Sequence, residues 1–145
     1  MISSLIHSLN SADTDRIFSV LRAVGLEEKG RDKAGFLSHG EKQWLELGMT
    51  ITQEPDLLLV DEPVAGMTGR ERIRTGEILM EIANDRSVIV VEHDMNFVQR
   101  FARKVTVLHE GQIICEGTFD RVKNDPVVID VYLGRGGEVE SNAVD

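Results

Sequence analysis

Three polar clusters, each closing or opening an apolar element, hold the residue types that could do chemistry in this chain. The first is Asp61-Glu62, directly after the run Leu57-Leu58-Leu59-Val60 and before Pro63. Adjacent carboxylates at the C-terminal end of an apolar strand suit a hydrated Mg²⁺ together with a base that polarises water. A solvated turn after a core strand is the competing reading. The second is His93, in Glu92-His93-Asp94 after the run Val88-Ile89-Val90-Val91. A lone histidine after a strand is more often structural, so its meaning depends on its company. The third is Leu37-Ser38-His39-Gly40-Glu41. Unpaired N–H groups and the helix dipole at such a start favour an anion. An ordinary helix cap uses the same residues, and both can hold at once.

The elements that must position these clusters follow from periodicity and punctuation. Ile17, Phe18, Val20, Leu21 and Val24 repeat at helical spacing between Ser11 and Gly25, a natural stop. A charged loop from Glu27 to Lys33 follows. Ser38 and Glu41 form a capping box for a helix whose packed face carries Trp44, Leu45, Gly48 and Ile51. Leu57–Val60 and Val88–Val91 read as short strands buried on both faces, as in a parallel sheet. Between them, Thr68 and Glu71 form a second capping box for a helix with Ile73, Ile78, Leu79 and Ile82 turned inward. Asp94 can cap a short helix with Phe97, Val98 and Phe101. A hairpin is expected over Lys104–His109 and Gln112–Glu116 around Glu110-Gly111, then short helices from Thr118 and over Val127–Leu133. This order predicts an α/β fold with a mostly parallel sheet.

Composition narrows the function classes. The chain has 145 residues, 41% of them hydrophobic, enough for one domain with a real core. Its formal net charge is -9 and it has no Lys/Arg-rich run, which argues against a nucleic-acid partner. The single cysteine, Cys115, allows no internal disulfide. No apolar run approaches the roughly 20 residues of a membrane helix, and the N-terminal residues lack the features of a secretory signal. Four scattered histidines and one cysteine do not make a zinc site.

Together, LSHGE, LLLVDEP and VVEHD at these spacings resemble the nucleotide-binding subunit of an ABC transporter, over about Ser11 to Gly134. LSHGE is similar to that family's signature motif, LLLVDEP to its Walker B strand with the catalytic Glu, VVEHD to its switch-histidine segment and Val64-Ala65-Gly66-Met67-Thr68 to its D-loop. The wording LSHGEKQWLELGM, DEPVAGMT and VIDVYLGR most resembles the ATPases of branched-chain amino-acid and urea importers. The resemblance implies a P-loop NTPase-like (ABC ATPase) α/β fold, a mostly parallel sheet with flanking helices, spanning residues 1–133 as a partial ATPase domain. Residues 134–145 are expected to form a flexible tail. It implies ATP and Mg²⁺ as cofactors, both in a complete two-subunit site. Asp61 would ligate Mg²⁺, Glu62 would polarise the attacking water and His93 would touch the γ-phosphate. Ser38, His39, Gly40 and Glu41 would face the γ-phosphate of an ATP held by the opposite subunit, and Ala65 and Gly66 would link the two sites. The implied partners are transmembrane permease subunits and a second ATPase subunit, as a homo- or heterodimer, with no nucleic acid. The implied location is cytoplasmic, peripheral on the inner face of the cell membrane.

Departures from the family's pattern temper those roles. No G-x-x-x-x-G-K-[ST] loop occurs in the sequence, and none of the five lysines precedes Ser or Thr. The chain is therefore expected to lack the Walker A part and to be inactive alone. It would contribute its signature, Walker B Asp, catalytic Glu and switch His to an import ATPase for branched-chain amino acids, urea or amides. The alternative is a catalytically inactive module that pairs with a complete ATPase subunit. Without the phosphate-loop strand, the two apolar strands are expected to pair directly, to be bridged by another chain or to leave the protein poorly stable. His39 replaces a signature glycine, Glu41 stands where Gln is usual, and Thr68 replaces the D-loop Asp.

Overall fold

A short polar residue followed three positions later by an acid starts each of the first three helices in the computed structural model, which describes residues 10–134, with side chains to residue 131. Asn10 with Asp13 opens α1 (Ser11–Ala23), Ser38 with Glu41 opens α2 (His39–Ile51), and Thr68 with Glu71 opens α3 (Gly69–Ile82). In each, the cap side chain accepts an N–H of the first turn while the acid accepts the cap's own N–H. Gly25, at φ +74, ends α1 in the left-handed conformation that glycine takes without a Cβ penalty.

Two compact units divide the chain, Met1–His93 and Asp94–Asp145. The first holds α1, α2, β1 (Leu57–Asp61), α3 and β2 (Ser87–Val91). The strands β1 and β2 pair in parallel, from Leu57 opposite Ser87 to Asp61 opposite Val91. Of the three outcomes expected for them, direct pairing is the one found. Val24, Leu26, Leu37, Ile51, Leu58, Val64, Met67, Ile78, Leu79 and Ile82 form the buried interior of this unit. Gly48 lets α1 and α2 approach closely: a Cβ there would lie 3.3 Å from Val20 and 3.4 Å from Val24. The Trp44 indole N–H donates to Thr75 Oγ1 at 2.9 Å, and that hydroxyl lies 2.9 Å from the Glu71 carbonyl, so α2 and α3 are joined by a polar link as well as by packing.

The expectation that both strands are buried on two faces is wrong. Leu58 is 2% exposed, but its neighbour Leu59 is 69% exposed, and Leu57, Ile89 and Val91 are exposed beside it. Among the described residues, helices cover one face of the pair only. The strand sequences are apolar on both faces because a parallel sheet ordinarily has a second layer. Ile73, expected to point inward, is exposed as well, since α3 turns Thr75, Ile78, Leu79 and Ile82 to the core instead.

The second unit holds α4 (Met95–Phe101), β3 (Val105–His109), β4 (Gln112–Gly117), α5 (Phe119–Lys123) and α6 (Pro126–Gly134). β3 and β4 form an antiparallel hairpin closed by Glu110 at φ 48 and Gly111 at φ 78, a turn whose twist matches the strands. It is a separate sheet, so the parallel part of the fold is only the β1–β2 pair among the described residues. Cys115, Val122 and Val128 form its core. The tail expected beyond Gly134 lies outside the described residues.

The two leucines offer a direct check. Leu58→Ala should cost about 2–5 kcal/mol in urea unfolding, whereas Leu59→Ala should change stability by no more than about 0.5 kcal/mol.

Candidate functional site

Parallel pairing places the C-terminal ends of β1 and β2 side by side, with Asp61 opposite Val91. The ladder continues one step further, because the Glu62 N–H donates to the Val91 carbonyl at 2.9 Å. Glu62 itself adopts φ +46, a left-handed conformation that is uncommon for a residue with a side chain. Its carboxylate then meets the imidazole of His93: Glu62 Oε1 lies 3.3 Å from His93 Nδ1. Both side chains are more than half exposed, so the pair faces solvent and can take up a ligand or a water.

A residue outside the expected site holds these ends together. The Glu92 carboxylate accepts the Val64 N–H at 3.2 Å with one oxygen and the His93 N–H at 2.9 Å with the other. It thereby fastens the turn after β1 to the end of β2. The Asp94 side chain accepts the Phe97 N–H, the cap expected from the sequence.

The turn Glu62–Thr68 leads from this pair to the start of α3 and passes beside the start of α2. The Ala65 N–H donates to the Glu62 carbonyl at 3.1 Å, and Gly66 takes φ +69. Above it sits His39, whose Nε2 lies 3.2 Å from the Ala65 carbonyl and donates when that nitrogen carries the proton. Ser38, His39, Gly40, Ala65 and Gly66 are thus brought together, while Glu62 and His93 meet at the other end of the same turn, with Asp61 on the last rung of β1 beside Glu62. Glu41 is occupied by its cap and by Lys29. Its carboxylate takes the Lys29 ammonium at 2.5 Å and the Ser38 N–H at 2.9 Å. The Lys29 hydrogen bond, followed by the Ser38 N–H, holds the Glu41 carboxyl below the usual glutamate range.

Sequence reasoning found the capping role of Glu71 but not its reach to α2. Glu71 Oε1 lies 3.5 Å from Ser38 Oγ, and a Cβ on Gly40 would stand 2.7 Å from that oxygen. The signal was legible in part: a glycine at the start of a helix permits another chain to pass close.

Comparison with known proteins bears on the whole arrangement. Residues 3–65 match the family model described as "ABC transporter", and residues 112–138 match the one described as "Branched-chain amino acid ATP-binding cassette transporter". In the solved structure of the ADP conformation of MJ1267, an ATP-binding cassette of an ABC transporter, the match has a TM-score of 0.78 and 27% identity, over 87% of this chain and 52% of that one. The chain has the fold of an ABC transporter ATP-binding cassette. Among curated relatives, the high-affinity branched-chain amino acid transport ATP-binding protein LivG of Escherichia coli (strain K12) is 31% identical over 83% of this chain and 48% of its own. BraF of Pseudomonas aeruginosa, of the same description, is 30% identical over 79% and 46%. The phosphonates import ATP-binding protein PhnC 2 of a Synechococcus strain is 32% identical over 91% and 48%. This cassette chain spans about half the length of the curated relatives it matches. None of its described helices is long and apolar enough to cross a membrane.

The lowered Glu41 carboxyl has a defined sign. Its folded pKa lies below the unfolded value, so its contribution is full above the ordinary glutamate pKa, about 4.3. That contribution fades as pH falls through the folded value. Acid titration of unfolding should show a shallower loss of stability in Glu41→Gln than in the parent chain below that range.

Proposed function

We propose that this cassette chain supplies the hydrolytic carboxylate, the switch histidine and the signature helix of an ATP-driven import system for branched-chain amino acids, urea or amides. The observation that carries the reading is the Glu62–His93 pair, 3.3 Å apart where two parallel strands end. Ligands of open α/β sheets bind at such carboxyl ends. The nature of the curated relatives, LivG and BraF, supports the solute class.

The residues present fit Mg²⁺ in one respect. Asp61 offers an exposed hard oxygen donor at the strand end, and no group of three or more candidate ligands occurs among the described residues. That suits an ion usually held by one or two carboxylates, waters and substrate phosphates rather than by a protein cage. When bound, the metal neutralises charge on the transferring phosphoryl group. Glu62, exposed and unable to donate a proton when ionised, is suited to accept a hydrogen bond from an attacking water. His93 meets Glu62 through Nδ1, and its side chain is largely exposed. Ser38 and Gly40 would present the α2 N-terminus to an ATP on the opposite subunit.

The chain's residues do not provide the remaining contacts, since no G-x-x-x-x-G-K-[ST] loop occurs in the sequence. Those contacts would come from a polypeptide corresponding to the half of LivG that the chain does not match, with Leu57, Leu59, Ile89 and Val91 as the apolar surface against which it packs. The same missing loop favours a second reading, in which the chain pairs with a complete ATPase subunit and lends it only the signature helix. In either case the assembly would act with permease subunits at the inner membrane face.

Two variants separate the readings in an ATPase assay of the full chain mixed with a phosphate-loop polypeptide or with a complete ATPase subunit. Glu62→Gln should lower turnover of the first mixture about 10²–10⁴-fold with little change in ATP affinity. Unchanged turnover would overturn the catalytic assignment. Loss of turnover in the second mixture with Ser38→Ala, but not with Glu62→Gln, would establish the module reading instead.

A further inference from the structure

We propose that Glu71 is a positioning residue whose carboxylate ties the start of the signature helix to the turn that follows the acid pair, so that α2 and the segment Glu62–Thr68 move as one body. Helix capping by itself does not require the arrangement seen. Both capping contacts fall on one oxygen: Glu71 Oε2 accepts the Thr68 N–H at 2.9 Å and the Thr68 hydroxyl at 2.7 Å. The other oxygen does no capping. Oε1 faces α2, 3.5 Å from Ser38 Oγ and packed over Gly40, where an added Cβ would meet it at 2.7 Å and Cδ at 2.9 Å.

His39 makes the tie two-sided. One residue before Gly40, it reaches the other end of the turn, with Nε2 3.2 Å from the Ala65 carbonyl and beside Gly66. A Cβ on Gly66 would fall 3.4 Å from that nitrogen. The turn is therefore held at Ala65 by His39 and at Thr68 by Glu71, both acting on the same helix end. The electrostatics are consistent. Glu71 is held below the usual carboxylate range chiefly by the Thr68 N–H and hydroxyl, with smaller contributions from Ser38 and from His39. A glycine in place of His39, the family's usual residue, could not make the Ala65 contact.

The functional weight of the tie rests on the proposed reading of the signature helix and acid pair. Its test uses no nucleotide, so the tie can fail while that reading stands, and the reverse. Amide hydrogen exchange and backbone NMR of the full chain would compare Glu71→Ala with Thr68→Ala. Both weaken the α3 cap, but only Glu71→Ala removes the contact to α2. Exchange at the Glu41 and Lys42 amides should quicken about 2–12-fold in Glu71→Ala, the range of one net hydrogen bond. The Ala65 and Gly66 resonances should shift with it, neither change should occur in Thr68→Ala, and Glu71→Gln should recover most of the protection. Changes confined to residues 68–72 and alike in the two alanine variants would reduce Glu71 to a cap. Gly40→Ala gives an independent arm, because it pushes Oε1 off α2 while sparing the capping oxygen. It should displace the Thr68 and Glu71 amides, and shifts restricted to residues 38–44 would overturn the tie.

Discussion

Everything at the candidate site depends on five parallel rungs. Because Leu57 through Asp61 pair in register with Ser87 through Val91, the two chain segments leave the sheet at the same level. A slip by one residue would turn Asp61 to the other face and pull Glu62 away from His93. Leu58 is the buried anchor of that register. Beyond the last rung, order is kept by a bidentate carboxylate. Glu92 accepts the His93 N–H of its own segment and the Val64 N–H of the other, so the ends cannot splay without leaving the Val64 donor unpaired.

Glu62 sits at the junction of this frame and the turn. Its φ of +46 costs conformational energy that a glycine would not pay. The return is direction: the left-handed bend turns the chain out of the sheet at once while the carboxylate stays beside the neighbouring strand end. From there the turn passes the start of α2, where His39 meets it, and enters α3, whose Glu71 reaches across to α2. The acid pair and the helix start are far apart in sequence, yet seven residues of turn connect them physically.

Much of this was legible before any coordinates. Ser38/Glu41 and Thr68/Glu71 announce helix starts by the spacing of cap and acid alone, and the apolar runs before Asp61 and Glu92 announce strands. The positions of Glu62 and His93 followed from where those runs stop. What the sequence hid were long-range contacts. Nothing local says that Glu92 accepts the Val64 N–H, or that Glu71 divides its two oxygens between its own helix and another. The exposure of Leu59 and Val91 was hidden for a different reason: a strand's sequence records the layers it is suited to, not those present around it. Ile73 misled because α3 has apolar residues on more than one side, so periodicity alone did not choose the inward stripe.

The uncovered side of the parallel pair has a colloidal consequence. Four large aliphatic side chains stand in a patch flanked by strand edges that are unpaired among the described residues, and such surfaces attract one another in water. Opposing that attraction is the formal charge of -9, whose repulsion acts at long range in dilute buffer. Added salt shortens its reach to about 10 Å at 0.1 M, while apolar attraction survives. Ionic strength thus sets how far copies of this chain are kept from sticking to each other.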